Sequence, residues 1–170
     1  MDATSQTNSE PASEPSSESP RNVRNLKIHP PVLVAILLAA GLVLHFILPE
    51  ARDTGWHQVL GLVLVAGGIG LSCFAAAIFA ARDTTKDPYG TPSAFVAGSP
   101  YTFTRNPMYL GLALALLGFA VFFDSIVMLL GPAVFYAAID TIVIPREEET
   151  MLARFGDQYR EYKGRVRRWL

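Results

Sequence analysis

Four long stretches that carry no charged residue, or only one, constrain this chain more than anything else in it. They run from Pro31 to Leu48 (18 residues), Val59 to Ala81 (23), Pro107 to Phe123 (17) and Ile126 to Ile144 (19, with the single acid Asp140). An α-helix rises about 1.5 Å per residue, so about 20 apolar residues carry it across a hydrocarbon layer roughly 30 Å thick. Each stretch reaches or approaches that length. None alternates apolar and polar residues with the period of two of a membrane β-barrel, and lipid demands backbone hydrogen bonds satisfied within the segment, so helices are expected. A soluble bundle would need a polar face on every helix. The residues for it are lacking: the first 30 positions hold only six apolar residues, so the 51% hydrophobic content is concentrated in the remainder, and charged residues make up 17%. The expected fold class is all-α, a polytopic membrane bundle of four transmembrane helices over about 31–48, 59–81, 107–123 and 126–144.

Charge placement orients the bundle. Arg21, Arg24 and Lys27 precede the first stretch, Arg82, Lys86 and Arg105 lie between the second and third, and seven basic residues follow the fourth, whereas Arg52 stands alone between the first and second. An even number of spans puts both termini on one side. The positive-inside rule makes that side, with 13 of the 14 basic residues, the cytoplasmic one. A multi-pass protein of a bacterial inner membrane or its equivalent is expected. Asp124 and Ser125 leave a connection of about two residues, so the third and fourth spans should form a tight antiparallel hairpin.

Residues 1–28, rich in Ser, Pro and Glu, are expected to be a disordered tail, with residues 29–170 as the membrane domain. The acidic start lacks the basic and apolar regions of a secretory signal, so none is expected. Gly61, Gly67, Gly68 and Gly70 in the second span and Gly111 and Gly118 in the third favour close helix approach. Gly111 and Gly118, seven apart and on one face, are expected to meet the fourth span. A net charge of −1 argues against a nucleic-acid binder with an all-over positive field, and the lone Cys73 excludes an internal disulfide and a multi-cysteine zinc site. No metal centre is expected, since Glu50, Asp53 and His57 fall on the opposite face from the other polar residues. His29 and His45 read as interface and packing residues, and the oligomeric state is left open.

The polar residues at the cytoplasmic face fall into two groups. The first is the linker Arg82 to Asn106, 25 residues long and furnished with turn-forming Pro88, Pro92, Pro100, Gly90 and Gly98 and apolar Tyr89, Phe95, Tyr101 and Phe103. It runs into Arg105-Asn106-Pro107-Met108-Tyr109-Leu110-Gly111. Pro107 suits a first helical turn, which places Arg105 and Asn106 at a helix N-terminus, where free N–H groups and the dipole favour an anion. The second group is Arg146-Glu147-Glu148-Glu149 after the fourth span. Beyond it, Met151, Phe155, Tyr159, Tyr162, Val166 and Trp169 recur at steps of three and four, one apolar stripe on an amphipathic helix expected over about 146–163 at the cytoplasmic interface. The hairpin brings Arg105 near the acidic run. Taken alone, that run also reads as a solvated face, and Arg105 as a headgroup anchor. Asp140, with Tyr136 one turn away, either lines a substrate channel or reaches the interface; an intramembrane acid is a functional hypothesis by default.

The pattern Arg-Asn-Pro-Met-Tyr-Leu-Gly at 105–111, followed by Arg-Glu-Glu at 146–148, Phe155-Gly156, Tyr159 and Val-Arg-Arg-Trp at 166–169, resembles the bacterial isoprenylcysteine carboxyl methyltransferase-like family, kin to the phospholipid N-methyltransferases. The resemblance covers about Asp87 to Leu170. It implies S-adenosylmethionine as cofactor, with Glu147 and Glu148 as the acidic pair that helps hold it, Phe155-Gly156 and Tyr159 in the helix that closes over it, and Arg105, Pro107, Tyr109 and Gly111 in the other half of the site. Arg105, Asn106, Tyr109 and Glu148 are the implied catalytic set. The chain departs from the pattern at Asn106, where the eukaryotic-type enzymes carry an ionisable His, and at Ser99-Pro100-Tyr101-Thr102, where many bacterial relatives have Gly-Pro-aromatic-Arg. Gly98-Ser99-Pro100 also breaks the Gly-any-Gly motif of the phosphatidylethanolamine enzymes, which lowers the N-methyltransferase reading.

The chemistry fits the implied cofactor, a molecule with two cationic centres and a carboxylate. Acids and an anion-binding corner are needed together, and Glu147 and Glu148 beside Arg105 or Arg146 supply them. The expected function is methyl transfer at the cytoplasmic face to a lipophilic acceptor from the bilayer, foremost a carboxylate of isoprenylcysteine type. A thiol S-methyltransferase or phospholipid N-methyltransferase is the alternative, and a non-catalytic membrane scaffold the competitor from another class.

Overall fold

The computed structural model describes residues 29–48, 55–81, 95 and 98–170. The expected disordered tail, Arg52, Arg82 and Lys86 lie outside the described residues. Among those described, the chain is helical, without strands. Helix α1 covers Pro30–Ile47, α2 Trp56–Ala81 and α3 Pro107–Phe122. A 3-10 turn, Val127–Leu129, then leads into α4, Leu130–Ala138, a π-helical segment, Ile139–Val143, and α5, Ile144–Arg165, as one continuous run.

The architecture is a membrane helical bundle. Pro30–Ile47, Trp56–Ala81 and the run from Val127 are long and apolar enough to cross a bilayer, and α3, at 16 residues, is a shorter apolar helix. Its outer faces are oily: Phe46 is 66% exposed and Ile126 81%. Such faces belong in lipid, where apolar exposure carries no penalty.

Helix α2 packs along α3 on glycine. A Cβ on Gly61 would lie 2.5 Å from Phe122 N and 2.7 Å from Gly118 O, and one on Gly68 would lie 2.5 Å from Gly111 O. The two glycines of each helix are seven residues apart, so an antiparallel pair matches them Gly61 to Gly118 and Gly68 to Gly111. This corrects the expectation that Gly111 and Gly118 meet the fourth span. Backbone-to-backbone approach needs glycine on both helices, and α2 supplies it, whereas α4 and the π segment offer the bulky Phe135, Ile139 and Val143 to the core. Ser72 Oγ seals the contact by donating to Met108 O at 2.6 Å.

The α3–α4 hairpin forms as expected. Asp124, at φ 50°, takes the left-handed position after α3, with Asp124 N donating to Val121 O and Ser125 N to Ala120 O, the paired bonds of a Schellman ending. Ser125 Oγ accepts from Met128 N at 3.3 Å and starts the next helix. Helix α1 lies against α4, where Leu33, Val34, Leu37 and Leu38 join a core of Tyr109, Leu116, Phe135, Ile139, Val143 and Ile144. His45 is buried between the rings of Phe46 and Phe123, consistent with a packing role.

Helix α5 is bent at Gly156 (φ 49°, ψ −121°), and this bend carries its second half back over the bundle. Met151, Phe155, Tyr159, Tyr162 and Val166 then pack with Ala75, Ile78, Phe79, Tyr101 and Met108 from α2 and the approach to α3. Trp169 departs from the expected single stripe: the helix ends at Arg165, Val166 is extended, and Trp169 joins the other core instead. Gly156→Ala should cost about 1–3 kcal/mol, because an L residue is strained at that angle even though no atom crowds the position. Thermal unfolding in detergent checks this; an unchanged midpoint would mean the bend is not needed.

Candidate active site

At the end of the bundle where α3 begins and α5 starts, Arg105, Glu147, Glu148, Lys163 and Arg168 come together. The residues after α5, Val166 to Leu170, form a short strap that returns to the approach of α3. Arg105 N donates to Arg167 O at 2.9 Å, while Thr104 Oγ1 and Asn106 Nδ2 both donate to Arg168 O, at 3.0 and 2.9 Å. Asn106 thus spends its amide on the strap. A donor of this kind needs no ionisable ring, which gives the residue a use where relatives of the eukaryotic type carry His.

The side chains of the strap reach inward. Arg168 donates from Nε to Glu148 Oε1 and from Nη2 to Glu148 Oε2, both at 3.2 Å, and from Nη1 to Asp140 Oδ1 at 3.1 Å. Lys163 Nζ lies 2.7 Å from Glu148 Oε2 and Arg105 Nη2 3.1 Å from Oε1. Three cations therefore surround one carboxylate. Burial acts to raise the Glu148 carboxyl, but the hydrogen bonds from Arg168 and Lys163 and the charges of Arg105 and Arg168 outweigh it and hold it below the ordinary range. Glu148 is ionised at neutral pH, with both oxygens engaged, and is a poor proton acceptor.

Glu147 has the opposite environment. Tyr109, on the first turn of α3, donates its hydroxyl to Glu147 Oε1 at 2.5 Å. Burial pushes the Glu147 carboxyl up to about 7; the Tyr109 bond opposes the rise and the Glu148 charge adds to it. Two adjacent carboxyls are thereby driven apart, one firmly ionised and one poised near neutrality. A raised carboxyl stabilises the fold fully below its unfolded value of about 4.5 and loses that contribution as the pH rises through about 7. Glu147→Gln should abolish this decline, leaving a thermal midpoint independent of pH between about 5 and 8 as far as this group is concerned. A parent midpoint already flat across that interval would contradict the raised value.

Arg105 is the other unusual group. Its side chain is 10% exposed, and beyond the Glu148 contact its Nε and Nη1 are buried and make no hydrogen bond among the described residues. Buried guanidinium donors are costly without an acceptor, so this edge is suited to an anion.

The other expected site residues are distributed around this centre. Arg146 is half-buried in the first turn of α5. Tyr159 is buried in the aromatic cluster with Phe95 and Tyr162. Tyr136 is half exposed and stacks on Trp169, ring centroids 4.8 Å apart, while Trp169 Nε1 donates to Asp140 Oδ1 at 2.9 Å. Arg168, Lys163 and Thr104 had no assigned role from sequence. The run Val166-Arg167-Arg168-Trp169 was visible as a motif, but nothing in it says that it folds back. Thr102 is exposed, and Ser99 does not sit at positive φ, so glycine's freedom is not required there. Among the described residues no cluster of His, Cys, Asp and Glu could hold a metal ion.

The π segment explains how Asp140 joins the centre. Residues eight apart on a regular α-helix point roughly 80° apart, and the extra residue of a π turn takes up about that offset. One guanidinium can then touch both Asp140 and Glu148.

Fold and site together define a polytopic helical membrane protein with, at one end of its bundle, a polar centre of paired acids and a guanidinium edge that is unsatisfied among the described residues. Residues 56–158 match the phospholipid methyltransferase family, and the chain belongs to that family. It is a membrane methyltransferase, and a methyl donor is implied. Similar proteins include an uncharacterized protein of Haemophilus influenzae, 43% identical over 63 residues, which are 37% of this chain and 100% of that one. Another is methanethiol S-methyltransferase 1 of Bradyrhizobium diazoefficiens, 40% identical over 80 residues, 45% of this chain but 26% of that protein. The chain thus matches about a quarter of the methanethiol enzyme's length. No solved structure matches the chain.

Proposed function

We propose that the chain transfers a methyl group from S-adenosylmethionine to a lipophilic, anionic acceptor at the cytoplasmic face of the membrane, foremost a carboxylate of isoprenylcysteine type. The observation that carries this reading is the pairing of Arg105, with two buried donors unengaged among the described residues, and Glu147, a carboxyl poised near neutrality, within one cluster. A ligand bearing both a carboxylate and cations would complete both. The residues therefore fit the cofactor: Arg105 for its carboxylate and Glu147, oriented by Tyr109, for its cationic end. Arg146, at the start of α5, is a second candidate for the anionic end. When bound, S-adenosylmethionine supplies an electrophilic methyl group on a sulfonium.

The remaining residues hold and shape. Glu148 keeps Arg105, Lys163 and Arg168 together, Asn106 fixes the strap, and Tyr159 packs the bent half of α5 against the bundle. An ionised carboxylate acceptor needs no base, so the residues' task is alignment and exclusion of water. The side chains at the centre, with their surplus of cations, favour an anionic acceptor over an amine. One observation favours a second reading, a thiol acceptor: Glu147, raised to about 7, is matched to taking a thiol proton, and a relative is named a methanethiol S-methyltransferase.

Calorimetry on the full chain in lipid nanodiscs tests the site. Arg105→Ala should weaken S-adenosylmethionine binding about tenfold or more, the loss of about 1.4 kcal/mol or more from a charge-assisted contact. Because the cofactor's cations favour ionised Glu147, affinity should rise with pH up to about 7 and then level, with a proton released on binding below that pH; Glu147→Gln should remove this dependence. Equal affinities for the parent and both variants would sink the assignment. Label transfer from methyl-labelled cofactor to S-prenylcysteines, thiols and phospholipids then identifies the acceptor.

A further inference from the structure

An acid within a membrane span is costly, and Asp140 is held by specific partners. Its Oδ1 accepts from Trp169 Nε1 at 2.9 Å and from Arg168 Nη1 at 3.1 Å. The same guanidinium forks onto both oxygens of Glu148, and Lys163 adds a further contact. The consequence falls on Arg105. Guanidinium and carboxylate favour a two-point fork. With that geometry on Glu148 already taken by Arg168, Arg105 gives Glu148 a single Nη2 contact, and its Nε and Nη1 are left buried and unengaged among the described residues.

We propose that Asp140 is a positioning residue for this site: by anchoring Arg168 and Trp169 it keeps Arg168 forked on Glu148, and so reserves the remaining donors of Arg105 for the anionic end of the cofactor. The inference rests on the cofactor reading above. Without Asp140, the strap loses both of its side-chain anchors on the π segment, the Arg168 guanidinium is held by Glu148 alone, and Arg105 can compete with it for the fork. The donors that would meet the cofactor are then consumed inside the protein.

The experiment uses the full chain in nanodiscs with two readouts. Trp56 and Trp169 are the two tryptophans, so Trp56→Phe leaves Trp169 as the only indole, reporting on the strap. In that background Asp140→Ala should red-shift the emission and raise acrylamide quenching at least about twofold, since a half-buried indole N–H loses its acceptor. Asp140→Asn keeps a side-chain oxygen for Trp169 and Arg168 and should stay close to the parent. By calorimetry, Asp140→Ala should weaken S-adenosylmethionine about tenfold and Asp140→Asn by less than about threefold. A cycle with Arg105→Ala then separates positioning from general damage: in that background Asp140→Ala should cost less than about twofold more, because the donors it protects are already gone. Additive losses, or an unchanged Trp169 signal in Asp140→Ala, would overturn the proposal. If the parent binds no S-adenosylmethionine, the cofactor reading fails and the role of Asp140 towards that cofactor fails with it; the fluorescence then decides only whether Asp140 anchors the strap.

Discussion

Gly68→Ala is expected to lower the thermal midpoint by about 5–10 °C or to abolish the folded protein, and Gly111→Ala to do the same. The added methyl group of Gly68→Ala would sit 2.5 Å from Gly111 O and 2.6 Å from Ala115 N, both backbone atoms of α3. No rotamer change relieves a clash with backbone. The helices must separate, and packing is lost along the whole α2–α3 interface, since in lipid close van der Waals contact replaces the hydrophobic drive between helices. The penalty of overpacking is typically about 1–3 kcal/mol for a side chain that neighbours can accommodate, and this site allows little accommodation. Gly67→Ala is the internal control: nothing lies within 4 Å of its Cβ position, so the midpoint should hold or rise slightly. Size-exclusion profiles after a heating series read both. Equal midpoints for Gly68→Ala and Gly67→Ala would show that the close approach is not what holds these helices together.

Glu148→Ala is the second large effect, about 3 kcal/mol of stability, with loss of cofactor binding. Removing this carboxylate leaves Arg105, Lys163 and Arg168 facing one another, with Asp140 still on Arg168. Breaking a buried pair by removing one partner costs about 3–5 kcal/mol, and the lower end applies because Lys163 is 40% exposed and Arg168 31%, so water screens them in part. The pH dependence gives a cleaner signature. A carboxyl held below its ordinary value contributes stability above its unfolded pKa and loses it as the pH falls through the lowered one. The parent should therefore lose stability below the ordinary carboxylate range, and Glu148→Gln should be less stable at neutral pH but flatter towards acid. Parallel acid-unfolding curves for the two proteins would remove Glu148 from the centre of the cluster.

These two predictions differ in how far the sequence anticipates them. The glycines at seven-residue spacing are legible, and so is their tendency to bring helices together; their partner is not. A face of small residues specifies that something comes close without saying what, and only the antiparallel match of Gly61 and Gly68 with Gly118 and Gly111 settles it. Glu147 and Glu148 are likewise legible as a pair, and Arg105 with Tyr109 as the opposite side. Their separate environments are not, because tertiary packing makes them: burial raises Glu147 against the Tyr109 bond, while Lys163 and Arg168, from beyond the bend, hold Glu148 down.

The sequence by itself determined the membrane helices, the hairpin and the gathering of charge at one end. Lipid makes these local properties, since each helix satisfies its own backbone and the bilayer sets its length. The tertiary structure alone decided the rest: the glycine pairing, the bend at Gly156, the π turn that brings Asp140 round, and the strap that sets Arg168 and Trp169 against the site. Each depends on which surfaces meet, and a one-dimensional pattern of apolar and polar residues carries the tendency of a face to be buried but not the identity of its partner.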